Sequence, residues 1–175
     1  MQRGGFDCAL GNPPWEVSQL NEIEYFSVLR PEISKLLGAA RKRAISDLEY
    51  EDPRAWAEFS LNKRGFDGSN EFYRAGRFPL CAQGKINTYQ LFAEHFLNLI
   101  APGGRSGFIV PTGIATDYSC RNFFQYLTEE KKLSSLLGFD NALKIFPSVH
   151  PDTPFSLITI GISGADTDFS HYLLS

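Results

Sequence analysis

The sequence predicts an α/β fold, with a mostly parallel sheet, an antiparallel hairpin at the sheet edge and a helical insertion. Three observations support this prediction. Short apolar runs alternate with segments of helical periodicity, in the order strand, helix, strand, helix, strand, strand. Such an order implies right-handed crossovers between parallel strands. Residues 17–80 interrupt the alternation with mixed charge and scattered aromatic residues, and we interpret them as a mainly helical insertion.

Length and composition are those of a globular domain. The chain has 175 residues, of which 43% are hydrophobic and 21% are charged. A chain of this length buries a substantial core, and this composition is not typical of disorder. The net charge of −3 argues against a broadly basic nucleic-acid-binding surface but leaves room for a small local one.

The cysteines and the apolar runs predict a location. Cys8, Cys81 and Cys120 are odd in number and far apart, so they predict neither a disulfide framework nor a zinc site. The sequence shows no signal peptide and no apolar run of membrane-spanning length. We therefore expect a cytoplasmic protein in a reducing compartment, without a membrane partner.

The first predicted strand, Phe6–Leu10, leads through Gly11 into Asn12-Pro13-Pro14-Trp15, here called the NPPW turn. Both prolines fix φ and lack N–H groups, and Pro13 pushes Asn12 out of the α region. The turn is therefore stiff and presents two acceptors, the Asn12 side-chain oxygen and the Pro13 carbonyl. Beside the aromatic face of Trp15, these acceptors form a site for a planar NH₂ group, and a nucleobase fits it best.

The insertion offers no motif of its own. Pro31 and Pro53 are expected to open helices, as proline does in a first helical turn. The cluster Arg41-Lys42-Arg43 is interpreted as a solvated helix face, because residues 17–80 hold ten Lys/Arg and ten Asp/Glu.

Regular elements resume in the second half of the chain. Apolar residues recur every three or four positions from Tyr89 to Ile100, the stripe of an amphipathic helix. Asn87 or Thr88 is expected to cap this helix, and Pro102-Gly103-Gly104 to end it. The later elements are predicted as a strand at Phe108–Val110 closed by Pro111, a helix at about Cys120–Thr128, and strands at Leu133–Phe139 and Phe155–Ile162. Residues 140–154 would join the last two strands into the edge hairpin.

The NPPW turn resembles the motif of amino-group methyltransferases that use S-adenosylmethionine, in which Asp, Asn or Ser is followed by Pro-Pro and an aromatic residue. The Asn form is typical of adenine-N6 DNA methyltransferases, and also of glutamine-N5 protein and some RNA guanine methyltransferases. Further segments resemble the C-terminal half of the catalytic domain in type IIG restriction–modification methyltransferases and their phage-exclusion relatives. These segments are Gly84–Phe92, Leu99–Pro111, Phe139–Asn141, Lys144–His150 and Phe155–Ile160.

This resemblance covers about residues 6–16 and 84–162 in the order that the family requires. It implies a partial class I, Rossmann-like S-adenosylmethionine-dependent methyltransferase that modifies adenine N6 in DNA for restriction–modification or phage defence. Asn12, Pro13, Pro14 and Trp15 would be catalytic, and the target adenine would be flipped out of the duplex. Trp15 and Phe146 would stack on the base from opposite sides, although Phe146 could equally be a core aromatic. No metal is implied.

The cofactor-binding residues are unknown from the sequence. The glycine-rich turn that such enzymes place after their first strand is absent, because Pro102-Gly103-Gly104 leads into a strand rather than out of one. Residues 1–175 are therefore expected to be a partial catalytic domain without its cofactor-binding N-terminal half. Three alternatives stay open: a methyltransferase for protein glutamine or RNA, a non-catalytic fragment that binds a partner or DNA, and a split enzyme whose glycine-rich half is a separate chain.

Overall fold

A computed structural model describes residues 4–161 and 166–172. Its α-helices and strands in chain order are β1 (Phe6–Gly11), α1 (Glu22–Leu29), α2 (Pro31–Ser34), α3 (Gly38–Glu51), α4 (Pro53–Phe72), α5 (Thr88–Leu99), β2 (Ile100–Pro111), α6 (Gly113–Thr116), α7 (Arg121–Glu129), β3 (Leu133–Phe139), β4 (Phe155–Gly161) and β5 (Asp168–Tyr172). The end predicted for the last main strand, Ile162, lies outside the described residues.

The five strands form one sheet in the order β1-β2-β4-β3-β5. β1 pairs with β2 in parallel, and β3 pairs with β5 in parallel. β4 is antiparallel to both of its neighbours, β2 and β3. Within the described residues, four strands therefore run in one direction and one runs against them. The predicted α/β fold with a mostly parallel sheet is confirmed.

The predicted position of the hairpin is wrong. β3 and β4 are antiparallel as expected, but β4 lies inside the sheet, between β2 and β3, and β5 adds beyond β3. The burial of β4 explains this position, because Phe155, Ile158 and Ile160 are each at most 4% exposed. A strand that buries this much apolar surface is stabilised by neighbours on both sides, whereas an edge strand leaves one row of backbone groups unpaired.

The glycine-rich segment also differs from the prediction. Helix α5 begins at Thr88 after the cap residue Asn87, as predicted, but it ends at Leu99, and β2 starts directly at Ile100. Gly103 has φ +87° inside this strand. Opposite it, the register with β1 shifts between Phe6 and Cys8. The glycines therefore form an irregularity in a long strand, which a left-handed residue permits, rather than a helix-ending turn.

The described residues within 1–17 and 73–175 form one compact unit. Its core lies where α5 and α7 cover the sheet. Phe123 and Leu127, four residues apart on α7, are fully buried, as are Val110 of β2 and Ile160 of β4. Phe96 of α5 stacks on Phe108 with ring centroids 5.0 Å apart and an angle of 9° between the planes. Burial of this apolar surface holds both helices against the sheet that carries the NPPW turn.

Residues Ser18–Phe72 form a second compact unit. It contains α1 to α4, with Pro31 and Pro53 at the first positions of α2 and α4 as predicted. Its own core is made by Phe26, Ile33, Ile45, Leu48 and Phe59. No helix among the described residues is long and apolar enough to cross a membrane.

Gly104 tests the β1–β2 contact. A Cβ atom added to Gly104 would lie 2.6 Å from the Phe6 carbonyl oxygen of β1. We expect Gly104→Ala to lower the free energy of unfolding by about 1–3 kcal/mol, because backbone must shift to relieve the contact. Gly68→Ala in α4 is the matched control, since its Cβ would meet nothing within 4 Å. In urea titrations the control should be neutral or stabilising, and equal loss in both variants would contradict this account.

Glu94 gives a pH-dependent test of the core. Its side chain on α5 is 2% exposed, and its carboxylate accepts hydrogen bonds from the backbone N–H groups of Leu80 and Cys81, the latter at 2.9 Å. Burial raises the pKa of Glu94 above its ordinary value of 4.5. The folded carboxyl thus keeps its proton to higher pH than the unfolded one. Stability should therefore fall as pH rises from about 4.5 through the higher folded-state pKa.

We expect Glu94→Gln to flatten this pH dependence, because the amide keeps an acceptor oxygen but does not ionise. Urea unfolding at pH 4.5 and at pH 7 measures the difference. Glu130→Gln, at an exposed position after α7, is the control and should keep the wild-type slope. If the stabilities of the wild type and of Glu94→Gln instead rise together with pH, the pH dependence does not come from Glu94.

Candidate functional site: the carboxyl edge of the sheet

The NPPW turn lies at the edge where the parallel strands end. It follows the last residue of β1, and Gly11 of that strand pairs with Phe108 of β2. At the same edge, the first residue of β4, Phe155, pairs with Pro111 on one side and with Phe139 on the other. The turn and the connection 140–154 are therefore gathered at one edge, the place where open α/β sheets carry their chemistry.

Helix α5 holds the turn through one side chain. The Thr88 hydroxyl donates to the Pro14 carbonyl at 2.7 Å and accepts from the Glu16 N–H at 3.1 Å. The Thr88 N–H donates to the Glu16 carbonyl at 2.8 Å. A bridge between Val17 and Asn87 continues the contact. These bonds fix both the exit of the turn and the start of the helix.

The two predicted acceptors differ in exposure. The Asn12 side chain is exposed and Pro13 is buried. Within the part of the chain that the structure describes, neither the Asn12 side chain nor the Pro13 carbonyl has a hydrogen-bond partner. Thr88 occupies the Pro14 and Glu16 carbonyls, whereas the Asn12 side-chain oxygen and the Pro13 carbonyl are left as acceptors for a ligand.

Trp15 is half-buried beside these acceptors. Its indole N–H donates to the Ile109 carbonyl of β2 at 3.3 Å, which orients the ring. The ring centroid lies 5.2 Å from that of Phe146, with the planes at 59°. It lies 6.5 Å from that of Phe155, with the planes at 30°. The structure thus brings Trp15 and Phe146 together, and the ring of Phe155 contacts both of them.

The space between Trp15 and Phe146 is closed. A base held between two rings needs them nearly parallel and about 7 Å apart, which is two contacts of about 3.5 Å each. The observed centroid distance of 5.2 Å and the angle of 59° leave no such slot. Phe146 is also in edge-to-face contact with Phe155, at 5.0 Å and 89°. Phe146 has to move before a base can occupy the position that the sequence predicts.

Tyr89 of α5 and Cys120, just before α7, are buried titratable side chains that serve packing. Gln90 is fully buried and donates to Ser119 Oγ at 2.9 Å and to Cys120 Sγ at 3.0 Å. Burial raises the pKa of the Cys120 thiol, and burial likewise raises the pKa of Tyr89. Among the described residues, no titratable side chain is hydrogen-bonded to Asn12 or Trp15. What the turn offers is oriented acceptors and an aromatic face, which suits the binding of an amine.

Two residues of this site were not singled out as site residues from the sequence. Thr88 was expected as a possible cap, but its bond to Pro14 spans 74 residues of sequence and has no local signal. Asn141 is 1% exposed and organises the connection that carries Phe146. The resemblance included Asn141 within a segment but gave it no role, and a buried asparagine in a polar loop is not distinguishable by pattern.

Thr88 provides the test of this arrangement. We expect Thr88→Val, which keeps the shape but removes the hydroxyl, to cost about 1 kcal/mol of stability because it leaves the Pro14 carbonyl and the Glu16 N–H unpaired. It should also change the emission of Trp15 in a Trp56→Phe background. Thr128→Val is the control, since that hydroxyl is exposed and binds carbonyls of its own helix. If both valine variants behave alike, Thr88 does not hold the turn.

Comparison with known proteins identifies relatives for most of the site-bearing unit. The profile of the Eco57I restriction-modification methylase family matches residues 58–146. This segment contains Thr88, Asn141 and Phe146 and begins after the NPPW turn. No curated protein matches the sequence.

One solved structure shares the fold at a TM-score of 0.50, and two others are similar over part of the chain. The cryo-electron-microscopy structure of a DrdV–DNA complex is 11% identical, covers 95% of this chain and 14% of its own, and has a TM-score of 0.50. A protein from Listeria monocytogenes, assigned to the class I S-adenosylmethionine-dependent methyltransferases, is 17% identical over 61% of this chain and 32% of its own, with a TM-score of 0.43. A type I restriction-modification methyltransferase subunit from Streptococcus thermophilus is 15% identical over 59% of this chain and 22% of its own, with a TM-score of 0.42. The chain spans a third or less of the length of each.

Proposed function

The chain belongs to the Eco57I restriction-modification methylase family, and from this premise we propose that it carries the amine-binding part of an S-adenosylmethionine-dependent methyltransferase that modifies adenine N6 in DNA. The proposal includes a role in restriction–modification or phage defence. DNA is the proposed substrate because the NPPW turn, with its Trp15, and the segments that follow it resemble those of adenine-N6 DNA methyltransferases. The DrdV protein, whose fold is similar, was solved bound to DNA.

The observation that carries the proposal is the pair of unpartnered acceptors beside Trp15. An exocyclic NH₂ group has two hydrogens, and the Asn12 oxygen and the Pro13 carbonyl can accept one each. With both hydrogens held, the nitrogen lone pair is turned toward an incoming methyl group. The same two oxygens and the face of Trp15 stabilise the positive charge that develops on nitrogen.

The described residues fit the amine side of this reaction. S-adenosylmethionine, when bound, supplies an electrophilic methyl group. On this proposal it is held by a glycine-rich segment from elsewhere in a longer protein or from a separate chain, in keeping with the small share of each solved protein that this chain spans. The contribution of this chain is positioning and electrostatic stabilisation rather than proton abstraction.

The target adenine has to leave the duplex, at a cost of a few kcal/mol. Stacking on Trp15 would recover on the order of 1–3 kcal/mol of this cost. Because Phe146 lies against Trp15 in the structure, the base would enter as Phe146 withdraws, and the two rings would then enclose it.

A partner-binding fragment is the second candidate. Phe6 and Leu10 of β1 are 61% and 78% exposed. Among the described strands, β1 is at the end of the sheet and pairs with β2 alone. An edge strand with exposed apolar side chains is suited to receive a strand from another polypeptide. This observation favours association with another chain, whether or not the fragment itself turns over substrate.

Methylation of DNA tests the proposed function. The purified chain, alone and with any chain that co-purifies with it, is incubated with labelled S-adenosylmethionine and unmethylated DNA of mixed sequence, and the modified nucleoside is identified by mass spectrometry. We expect N6-methyladenine. Asn12→Ala should lower the rate by on the order of 100-fold, because it removes an acceptor that acts on the developing charge.

Asn62→Ala, at an exposed asparagine of α4, is the control and should keep the rate. Calorimetric titration with S-adenosylmethionine shows separately whether the cofactor binds. Label on cytosine, RNA or protein would refute the adenine assignment. No transfer by a folded chain that has its co-purifying partner would favour the non-catalytic candidate.

A further inference from the structure

Residues 140–154, here called the β3–β4 connection, carry Phe146 to Trp15 but bury little apolar surface of their own. Leu143 and Ile145 are 64% and 51% exposed. A connection of this length without regular structure is usually functional when it is ordered. Its conformation therefore needs a source of stability other than apolar burial.

That source is the side chain of Asn141, which is 1% exposed. Its Oδ1 accepts from the Phe146 N–H at 3.0 Å. Its Nδ2 lies 3.3 Å from the Phe146 carbonyl oxygen and 3.4 Å from those of Val149 and His150. The backbone carbonyl of Asn141 also accepts from Lys144 N–H at 2.8 Å. Asn141 thus binds backbone groups of four residues in the connection, which are Lys144, Phe146, Val149 and His150.

Hydrogen bonds hold Phe146 at both its backbone N–H and its backbone carbonyl. The same Asn141 amide binds the N–H and the carbonyl of Phe146, so the peptide groups that flank the ring cannot rotate independently of Asn141. The two donor hydrogens are shared among three carbonyls and the oxygen accepts one hydrogen bond, so both polar groups of the amide are engaged. An isosteric aspartate would keep the acceptor but would set a carboxylate against three carbonyl oxygens.

We propose that Asn141 is a positioning residue of the site, which fixes Phe146 against Trp15 and so determines how a target base is received. The proposal rests on the proposed function for the identity of the ligand, but the contact between Asn141, Phe146 and Trp15 exists without it. Asn141 does not touch the base. It acts through Phe146, whose ring stands 5.2 Å from that of Trp15.

Trp15 fluorescence tests the structural half of the proposal without DNA or cofactor. In a Trp56→Phe background, Trp15 is the sole tryptophan of the chain. We expect Asn141→Asp to shift the Trp15 emission to longer wavelength, because Phe146 no longer shields the indole from water. Phe146→Ala should give the same shift, and the double variant should add nothing to it.

Asn98→Asp makes the same chemical change at an exposed position of α5, and it should leave the emission unchanged. Urea unfolding identifies variants that do not fold, and Asn141→Ala, which removes the amide without introducing a carboxylate, serves if Asn141→Asp is among them. An unshifted Trp15 in folded Asn141→Asp would overturn the inference whatever the protein methylates, as would a double variant whose shift is the sum of the two.

Methylation kinetics test the functional half. We expect Asn141→Asp to raise the KM for DNA about tenfold, the order expected when one stacking contact is lost, with a smaller effect on kcat and none on cofactor binding. Phe146→Ala should match it, again without additivity. A shifted Trp15 with unchanged KM would overturn the role in base reception. If wild type transfers no methyl group to DNA, the proposed function fails, while the fluorescence result still decides the placement of Phe146.

Discussion

The arrangement of this site depends on a constraint that two consecutive prolines impose. Pro13 and Pro14 have no N–H groups, so neither residue can donate a backbone hydrogen bond that would hold the turn. It has to be held by its carbonyls and by the groups that follow it. Thr88 does this with one hydroxyl, which binds the Pro14 carbonyl and the Glu16 N–H. Because Thr88 also opens α5, the packing of that helix on the sheet fixes the turn and leaves the Asn12 oxygen and the Pro13 carbonyl free.

The sequence predicted the elements whose signals are local. The stripe of α5 buries a face that its periodicity reveals. β1 and β3 follow from their short apolar runs, and β3 is found at its predicted residues Leu133–Phe139. β2 was predicted too short, because its glycines suggest a turn when the partner strand is not known. β5 was not predicted, since it is short and polar and exists through pairing with β3. The internal place of β4 is likewise a long-range property.

The site residues likewise divide into those predicted from local sequence and those whose arrangement depends on long-range contacts. Asn12, Pro13, Pro14 and Trp15 are adjacent in sequence, so the stiffness of the turn and its acceptors follow from residue types alone. The contact between Trp15 and Phe146 joins residues that are 131 positions apart in the sequence. Sequence reasoning placed a base between these rings, whereas the structure places the rings against each other. No local pattern carries that information, because it depends on the conformation that Asn141 gives to the β3–β4 connection.

The closed pair of rings has an energetic consequence for a base that enters. An aromatic pair contributes about 0.5–1.5 kcal/mol beyond its buried area, whereas a base stacked on an aromatic ring contributes about 1–3 kcal/mol. Exchange of Phe146 for a base on Trp15 therefore favours the base by a margin of at most about 2.5 kcal/mol. Until a base arrives, Phe146 keeps Trp15 covered, so the apolar face is not left in water. The margin is smaller than the few kcal/mol that flipping costs. On the proposed function, stacking alone would not extract the base, and the remainder would have to come from the hydrogen bonds of Asn12 and Pro13 and from contacts with the DNA backbone.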